Sequence, residues 1–357
     1  MASLVEDLRT LRGKRILITG HTGFKGSWLA LLLVRAGAKV SGVALPPITE
    51  QSHWDLLRLE TDIESHECDI RDREKLSKHL RVIKPEIVFH LAAQALVRKS
   101  YREPYLTFTT NVLGSANVLD IIRKLDSVRA LVYITSDKCY RNKEQVLGYV
   151  ETDELGGLDP YSTSKAAAEH IFAGYMQSSY NHPAAARAAS ARAGNVVGGG
   201  DWSPDRLIPD CIRAATTSQP ISLRFPHATR PWQHVLEPLS GYVRLAVALE
   251  QGLVPHGEPW NFGPSEDSVH QVQEVTEILA SRWHPQLEVR VESGSHQLHE
   301  SGLLQLNSNK AHKLLNWRPQ WNFAETIERT TDWYREFYSG GDARSLSLAD
   351  IAAYADS

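Results

Sequence analysis

The chain of 357 residues has only three cysteines, Cys68, Cys139 and Cys211, and their scatter fits neither a metal site nor a disulfide framework. So few thiols suit a reducing compartment. Neither charge dominates, since 39 basic and 42 acidic side chains leave a formal charge of −3. Without a basic excess the chain has little to neutralise a run of phosphates, which excludes bulk nucleic-acid binding. Long apolar runs are missing too. The longest, Trp28 to Val34, stops at Arg35 and falls far short of the ~20 residues that span a bilayer. The opening MASLVEDLRTLRGK is acidic and amphipathic and lacks the apolar core of a signal peptide. Together these features read as a soluble cytoplasmic protein with no membrane partner. Repeats and low-complexity tracts are also lacking. What remains is ordinary globular material, 42% hydrophobic, with length for roughly two domains at about 150 residues each.

The first half alternates two periodicities. Short β-branched or apolar runs stand at Arg15–Thr19 (RILIT), Lys39–Ala44 (KVSGVA), Ile63–Cys68, Ile87–His90 (IVFH) and Ala130–Thr135 (ALVYIT). Helical patterns fall between them, at SWLALLLVRAGA after the first run and over 111–125. Strands recurring with helices between them predict a parallel sheet covered on both faces. Such sheets bind ligands beyond the carboxyl ends of their strands.

The motifs gather at those ends. Gly20, Gly23 and Gly26 follow the first strand and open the first helix, in GHTGFKG. Glycine there lets backbone approach a pyrophosphate, and the helix start offers free N–H groups. The plainer alternative is a tight strand-to-helix turn. The usual companion, an acid about 20 residues on for the adenosine ribose, is missing, because the second strand ends in Val43, Ala44, Leu45 and Pro46. Asp69, with Ile70 beside it, stands after the third strand. It reads either as a partner for the adenine amino group or as a helix N-cap.

Tyr161 and Lys165 lie four apart in YSTSKAAAEH, a stretch of strong helix formers, and so share one helical face. For Tyr161 to act as a base near neutral pH, its hydroxyl must fall by ~3 units from its usual value near 10. A neighbouring ammonium and a cationic cofactor ring are suitable causes.

These residues carry a resemblance. The glycine loop, the Tyr161/Lys165 pair, Ser136 at the end of the fifth strand and Asn111 on the middle helix resemble the extended short-chain dehydrogenase/reductase family. Within it, TSDKCY at 135–140, GHTGFKGSW, AAQALVRKSY, NVVGGGDW and RPWQHV resemble the nucleotide-sugar 4,6-dehydratases over roughly residues 13–335.

The resemblance implies a Rossmann-type, doubly wound α/β sheet with a smaller, interleaved C-terminal substrate domain. The expected division is 1–190 for the cofactor, with a return near 225–250, and 191–340 mainly for the substrate. By composition, 341–357 looks like a peripheral tail. The implied cofactor is NAD, held by Gly20, His21, Thr22, Gly23, Phe24, Lys25 and Gly26, by Asp69 and Ile70, and by Tyr161 and Lys165. His21 and Lys25 are bulkier and more polar than is common in this loop, which predicts weak NAD retention. The implied substrate is CDP-D-glucose, dehydrated for deoxysugar and O-antigen-type polysaccharide synthesis.

Roles follow by position. Tyr161 is the base at the C4 hydroxyl, supported by Lys165 and Ser136. Asp137 is the acid at the C6 hydroxyl and must carry a proton when it acts, a state that burial favours. Lys138 stands where relatives have a glutamate. Either it takes the C5 proton, or it stays charged and stabilises the enolate. Asn195, Arg206 and Arg230 are candidates for the pyrophosphate, with surface ion pairing the alternative for both arginines. Arg98 and Gln94 stand beside the sugar or the cofactor. His90 reads as a satisfied buried histidine. Trp202, Trp232, Trp260 and Trp317 read as packing residues or as stacking partners for a base.

No metal is implied. Relatives pair through the helix of Tyr161 and its neighbour, which implies a homodimer, with a homotetramer as a further form. A 4-epimerase is the nearest competing reading, and Asp137 argues against it. A non-catalytic dinucleotide sensor is another, and the presence of both Tyr161 and Lys165 argues against that.

Overall fold

A computed structural model of the chain describes residues 3–145, 147–182, 185–223, 226–265, 268–283, 287–291 and 303–356. Six strands come first: β1 (Arg15–Thr19), β2 (Lys39–Ala44), β3 (Glu64–Glu67), β4 (Ile87–His90), β5 (Ala130–Ile134) and β6 (Arg187–Ala193). Five more follow: β7 (Ile221–Leu223), β8 (Thr229–Pro231), β9 (Pro259–Phe262), β10 (Val269–Gln271) and β11 (Val289–Val291).

Seven strands form one sheet in the order β3-β2-β1-β4-β5-β6-β9, parallel throughout. Period-two alternation sorts their side chains. Ile16, Ile18, Ile87, Phe89, Val132 and Ile134 face one core, under the helices Phe24–Arg35 and Leu236–Glu250. Leu17, Val88, Leu131 and Tyr133 face the other, under Arg73–Ile83, Ser115–Ile122 and Pro160–Ser178. Burial on both faces explains why β1, β4 and β5 read as unbroken apolar runs. The edge strand β3, sequence ESHE, is largely exposed and polar.

The sheet order reverses between β1 and β4, so the loops after these two strands flank a crevice. Gly20, directly after β1, has φ +79°, and a Cβ there would lie 2.8 Å from the Ala92 backbone. Only glycine lets the two loops approach this closely.

The later chain is interleaved. The helix Leu236–Glu250 and β9 return to the sheet. The helices Leu207–Thr216, Val272–Arg282 and Phe323–Tyr338, with β7 and β11, build a separate core around Trp202, Ile212, Leu279 and Tyr334. The last residues depart from expectation. Instead of a peripheral tail they form the helix Ala343–Asp356, with Ser347, Ile351 and Tyr354 buried along one face. Ile351 and Tyr354 belong to the main core, and Ser347 Oγ lies 3.0 Å from His53 Nε2. The surrounding alanines and serines hid this face, because they pack well without marking an apolar stripe.

Candidate active site

A cleft of about 1780 Å³ runs along the carboxyl ends of the strands. Its floor follows from local chain geometry. Gly23 is the N-cap of the helix Phe24–Arg35 and makes no side-chain cap, so the first helical amides have no side-chain acceptor. A Cβ at Gly26 would lie 2.1 Å from the Gly20 carbonyl oxygen. The turn is therefore sealed by glycine and presents bare N–H groups, which fits a dinucleotide pyrophosphate.

Thr22, Phe24 and Lys25 line the cleft with these glycines, but His21 does not. Its ring turns down into the space left by Gly42, where a Cβ would lie 2.3 Å from the imidazole. It packs edge-on against Trp54 and puts Nε2 2.7 Å from Ser65 Oγ. Burial lowers its pKa to about 4, so the ring is neutral. The expectation that the His21 side chain meets the cofactor is corrected, because loop spacing does not show which way a side chain turns. Lys25 reaches in among Arg206, Asp137 and Lys165, and burial, then Arg206, brings it down to about 7.

At the β2 end, Ala44 to Thr49 give an apolar wall. Asp69 and Ile70 stand at the same end. Asp69 is taken by Arg71, whose backbone N–H donates to it at 2.8 Å and whose guanidinium holds it below the usual carboxylate range. The N-cap of the next helix is Asp72, not Asp69.

The end of β5 brings Ser136, Asp137 and Lys138 to the cleft in a single tight turn. Ser136 Oγ donates to Asp137 Oδ1 at 2.8 Å, and Ser136 lowers the pKa of the nearby Tyr161 hydroxyl. Ser136 and Asp137 are buried and Lys138 is half-buried. Asp159 caps the helix Pro160–Ser178, with Pro160 in its first turn, which aims Tyr161 and Lys165 into the cleft.

Burial pushes the Tyr161 hydroxyl up to about 12, with Ser136 offsetting part of the rise. The fall that action as a base near neutral pH requires must therefore overcome this burial. Lys165 is lowered to about 8 by burial, with Cys139 and Glu169 acting against it.

The substrate-side residues Arg98, Asn195, Arg206 and Arg230 line the same cleft. Two of the arginines already hold carboxylates: Arg98 pairs with Asp205 and Arg206 with Asp201, each at 2.8 Å. The partners Asp201 and Asp205 were missed in the sequence, although both stand just before Arg206. Arg230 lies on β8 and donates to the Thr229 carbonyl at 2.8 Å.

Gln94 is buried and fixed by Asn111, whose Oδ1 accepts from the Gln94 N–H at 2.8 Å and whose Nδ2 donates to its carbonyl at 3.0 Å. His90 is buried between Thr19 and Ser115, at 2.7 and 2.9 Å. Trp260 and Trp317 are buried in the main core, whereas Trp202 and Trp232 border the cleft. The glycines of NVVGGGDW make room for aromatic rings. A Cβ at Gly199 would meet Trp333 at 2.0 Å, and one at Gly200 would meet His53 at 2.2 Å.

Among the described residues, no group of three or more His, Cys, Asp or Glu side chains is placed to hold a metal ion, and no helix is long and apolar enough to cross a membrane.

Comparison with known proteins agrees with this geometry. The family model described as GDP-mannose 4,6 dehydratase matches residues 17–330. The CDP-glucose 4,6-dehydratase of Salmonella typhimurium is 44% identical over 353 residues, covering 98% of each chain. Among solved structures, the epimerase Mth375 of Methanothermobacter thermautotrophicus matches with a TM-score of 0.79 at 26% identity, over 94% of this chain and 96% of that one. The dTDP-glucose 4,6-dehydratase of Bacillus anthracis, solved with NAD, shares the fold with a TM-score of 0.72 at 22% identity, over 90% and 96%. With the match spanning nearly the whole sheet and the cleft at its edge, this chain belongs to the GDP-mannose 4,6 dehydratase family.

Proposed function

We propose that the protein is an NAD-dependent CDP-D-glucose 4,6-dehydratase, a hydro-lyase that forms CDP-4-keto-6-deoxy-D-glucose for deoxysugar and polysaccharide synthesis. The observation that carries this reading is the meeting of two sets of groups in one cleft. Tyr161 and Lys165 enter it from the helix, and Ser136 and Asp137 from the turn, where Ser136 Oγ donates to Asp137 Oδ1 at 2.8 Å. A simple epimerase needs only the first set.

The chemistry that NAD supplies when bound is reversible hydride acceptance, from C4 at the start and to C6 at the end. The Gly20–Gly26 turn would hold it, with Asp69 and Ile70 at the adenine end and Tyr161 and Lys165 at the other. Tyr161, raised by burial, would ionise more readily beside a cationic ring.

Tyr161 takes the C4 hydroxyl proton, supported by Lys165 and Ser136. The resulting ketone acidifies the C5 proton, which Lys138 removes. Asp137 protonates the C6 hydroxyl, so that it departs as water. The proton on Lys138 returns to C5 as C6 is reduced, and the proton gained by Tyr161 replaces the one given up by Asp137, so one water is lost overall and no external reductant is needed. Asn195, Arg206 and Arg230 meet the pyrophosphate. A guanidinium fork suits two phosphate oxygens, and Arg206 reaches them by sharing or leaving Asp201.

Incubation with CDP-D-glucose and NAD, followed by mass spectrometry, tests the reading. The expected product is lighter by one water. A product of unchanged mass would make the protein an epimerase.

The proposed assembly is a homodimer built on the helix Pro160–Ser178 and its neighbour. The segments Val97–Arg102, Pro104–Phe108 and Thr109–Gly114, on that side, expose Tyr101, Tyr105, Phe108 and Leu113. Sedimentation at micromolar concentration is expected to give the mass of two or four chains, and a monomer would overturn the assignment. The proposed compartment is the cytoplasm, in keeping with three buried, free cysteines.

A further inference from the structure

The stretch Thr135–Tyr140 carries Asp137 and Lys138, and both of its ends run into one buried ion pair. Glu169 lies two helical turns beyond Tyr161, so Tyr161, Lys165 and Glu169 share a face of the helix Pro160–Ser178. Its carboxylate accepts from Thr135 Oγ1, from Ser190 Oγ at 2.9 Å and from Arg192 Nη2 at 2.7 Å. Arg192, on β6, donates through Nη1 to the Tyr140 hydroxyl at 2.8 Å and to the Glu151 carbonyl at 3.1 Å. The Tyr140 hydroxyl in turn donates to Asn261 Oδ1 on β9 at 2.8 Å. Thr135 immediately precedes Ser136, and Tyr140 immediately follows Cys139.

Both charged side chains of the pair are 3% exposed. Burial pushes Glu169 up, but Arg192 and the hydroxyl donors hold it below the usual carboxylate range, so the pair stays ionised. A buried ion pair is a poor device for stability, because apolar residues of the same shape often serve as well or better. What it offers is directed contacts, and here these run to the two ends of one catalytic turn.

We propose that Glu169 and Arg192 are positioning residues that hold the Asp137–Lys138 turn in register with the Tyr161–Lys165 helix, acting through Thr135 and Tyr140. This rests on the dehydratase reading above. The oxidising groups sit on the helix and the eliminating groups on the turn, so a loosened turn harms elimination before oxidation.

The test uses Thr135→Val and Tyr140→Phe, each of which removes one hydroxyl and keeps the ring or branch. Thr135→Ser restores the hydroxyl and serves as the rescue. In the free protein, amide hydrogen exchange over 136–140 is expected to quicken in both variants and to return to the parent rate in Thr135→Ser. With CDP-D-glucose and NAD, solvent deuterium incorporation at C5 is expected to fall by about tenfold or more. Single-turnover oxidation, read as reduced-nicotinamide absorbance, is expected to stay within about threefold, so that the reduced form accumulates. Unchanged amide exchange, or parallel loss of oxidation and elimination, would overturn the proposal. A parent protein without dehydratase activity overturns the functional reading instead, and amide exchange then decides the anchoring by itself.

Discussion

Two buried glutamates mark two regions of this molecule, and their surroundings give them opposite protonation. Glu169, beneath the catalytic turn, is 3% exposed, and Glu237, beneath the C-terminal helix, is fully buried. Glu169 faces Arg192 and lies below the usual carboxylate range despite its burial. Among the described residues Glu237 has no ion-pair partner. Its carboxylate accepts from the Gln320 and Trp321 N–H groups at 3.0 and 2.8 Å and from the Tyr354 hydroxyl at 2.6 Å. Burial wins there and raises it to about 7. Neutral donors therefore do not substitute for a guanidinium at this depth. The Glu169–Arg192 pair therefore keeps its charges across the working pH range, whereas Glu237, at the seat of the C-terminal helix, titrates within it.

The largest effect comes from breaking the charged member of the comparison. Glu169→Gln leaves the Arg192 charge buried without a counter-ion, and loss of one partner of such a pair costs about 3–5 kcal/mol. Denaturant unfolding of the variant against the parent measures this. Equal stability would show that Arg192 is compensated by its contacts to Tyr140 and Glu151, and would remove the contrast with Glu237.

Much of the catalytic region was legible in the sequence, and little of the C-terminal seat was. RILIT, IVFH and ALVYI are apolar except at their ends because both faces of their strands are buried, and such runs announce themselves. Tyr161 and Lys165 are joined by helical spacing alone. β6 is different: RAASARA has no β-branched residue, and only its place between β5 and β9 makes it a strand. The orientation of His21 depends on Gly42, and the charge of Glu169 depends on Arg192. Neither relation has a fixed spacing. Spacing put Lys165 on the same face as Tyr161, but it does not show the burial that raises the Tyr161 hydroxyl. The C-terminal helix shows little beyond small residues in sequence, yet it carries Tyr354 to Glu237.

The smaller effect sharpens the other side of the comparison. Burial raises Glu237 to about 7 in the folded state, against about 4.5 for an exposed glutamate. Between those values the folded state holds a proton that the unfolded state has lost. Its contribution is fully present below pH 4.5, falls as pH rises toward 7 and is flat above that. The span amounts to roughly 3 kcal/mol as an order of magnitude. Other groups titrate nearby and confuse the total. Asp350, on the C-terminal helix beside Arg329, is also raised to about 7 by burial and has the same sign. His234, lowered to about 3 by burial, has the opposite sign, since its contribution is lost as pH falls. Glu325 and Tyr354 face Glu237 as well. The difference between parent and Glu237→Gln isolates the one group, because glutamine keeps the shape and stays neutral. The variant should gain on the parent steadily from pH 5 to pH 7 and hold a constant margin above it, read from unfolding curves at each pH. A difference that does not vary with pH would mean that Glu237 is ionised like Glu169, and that a cation is not what separates the two regions.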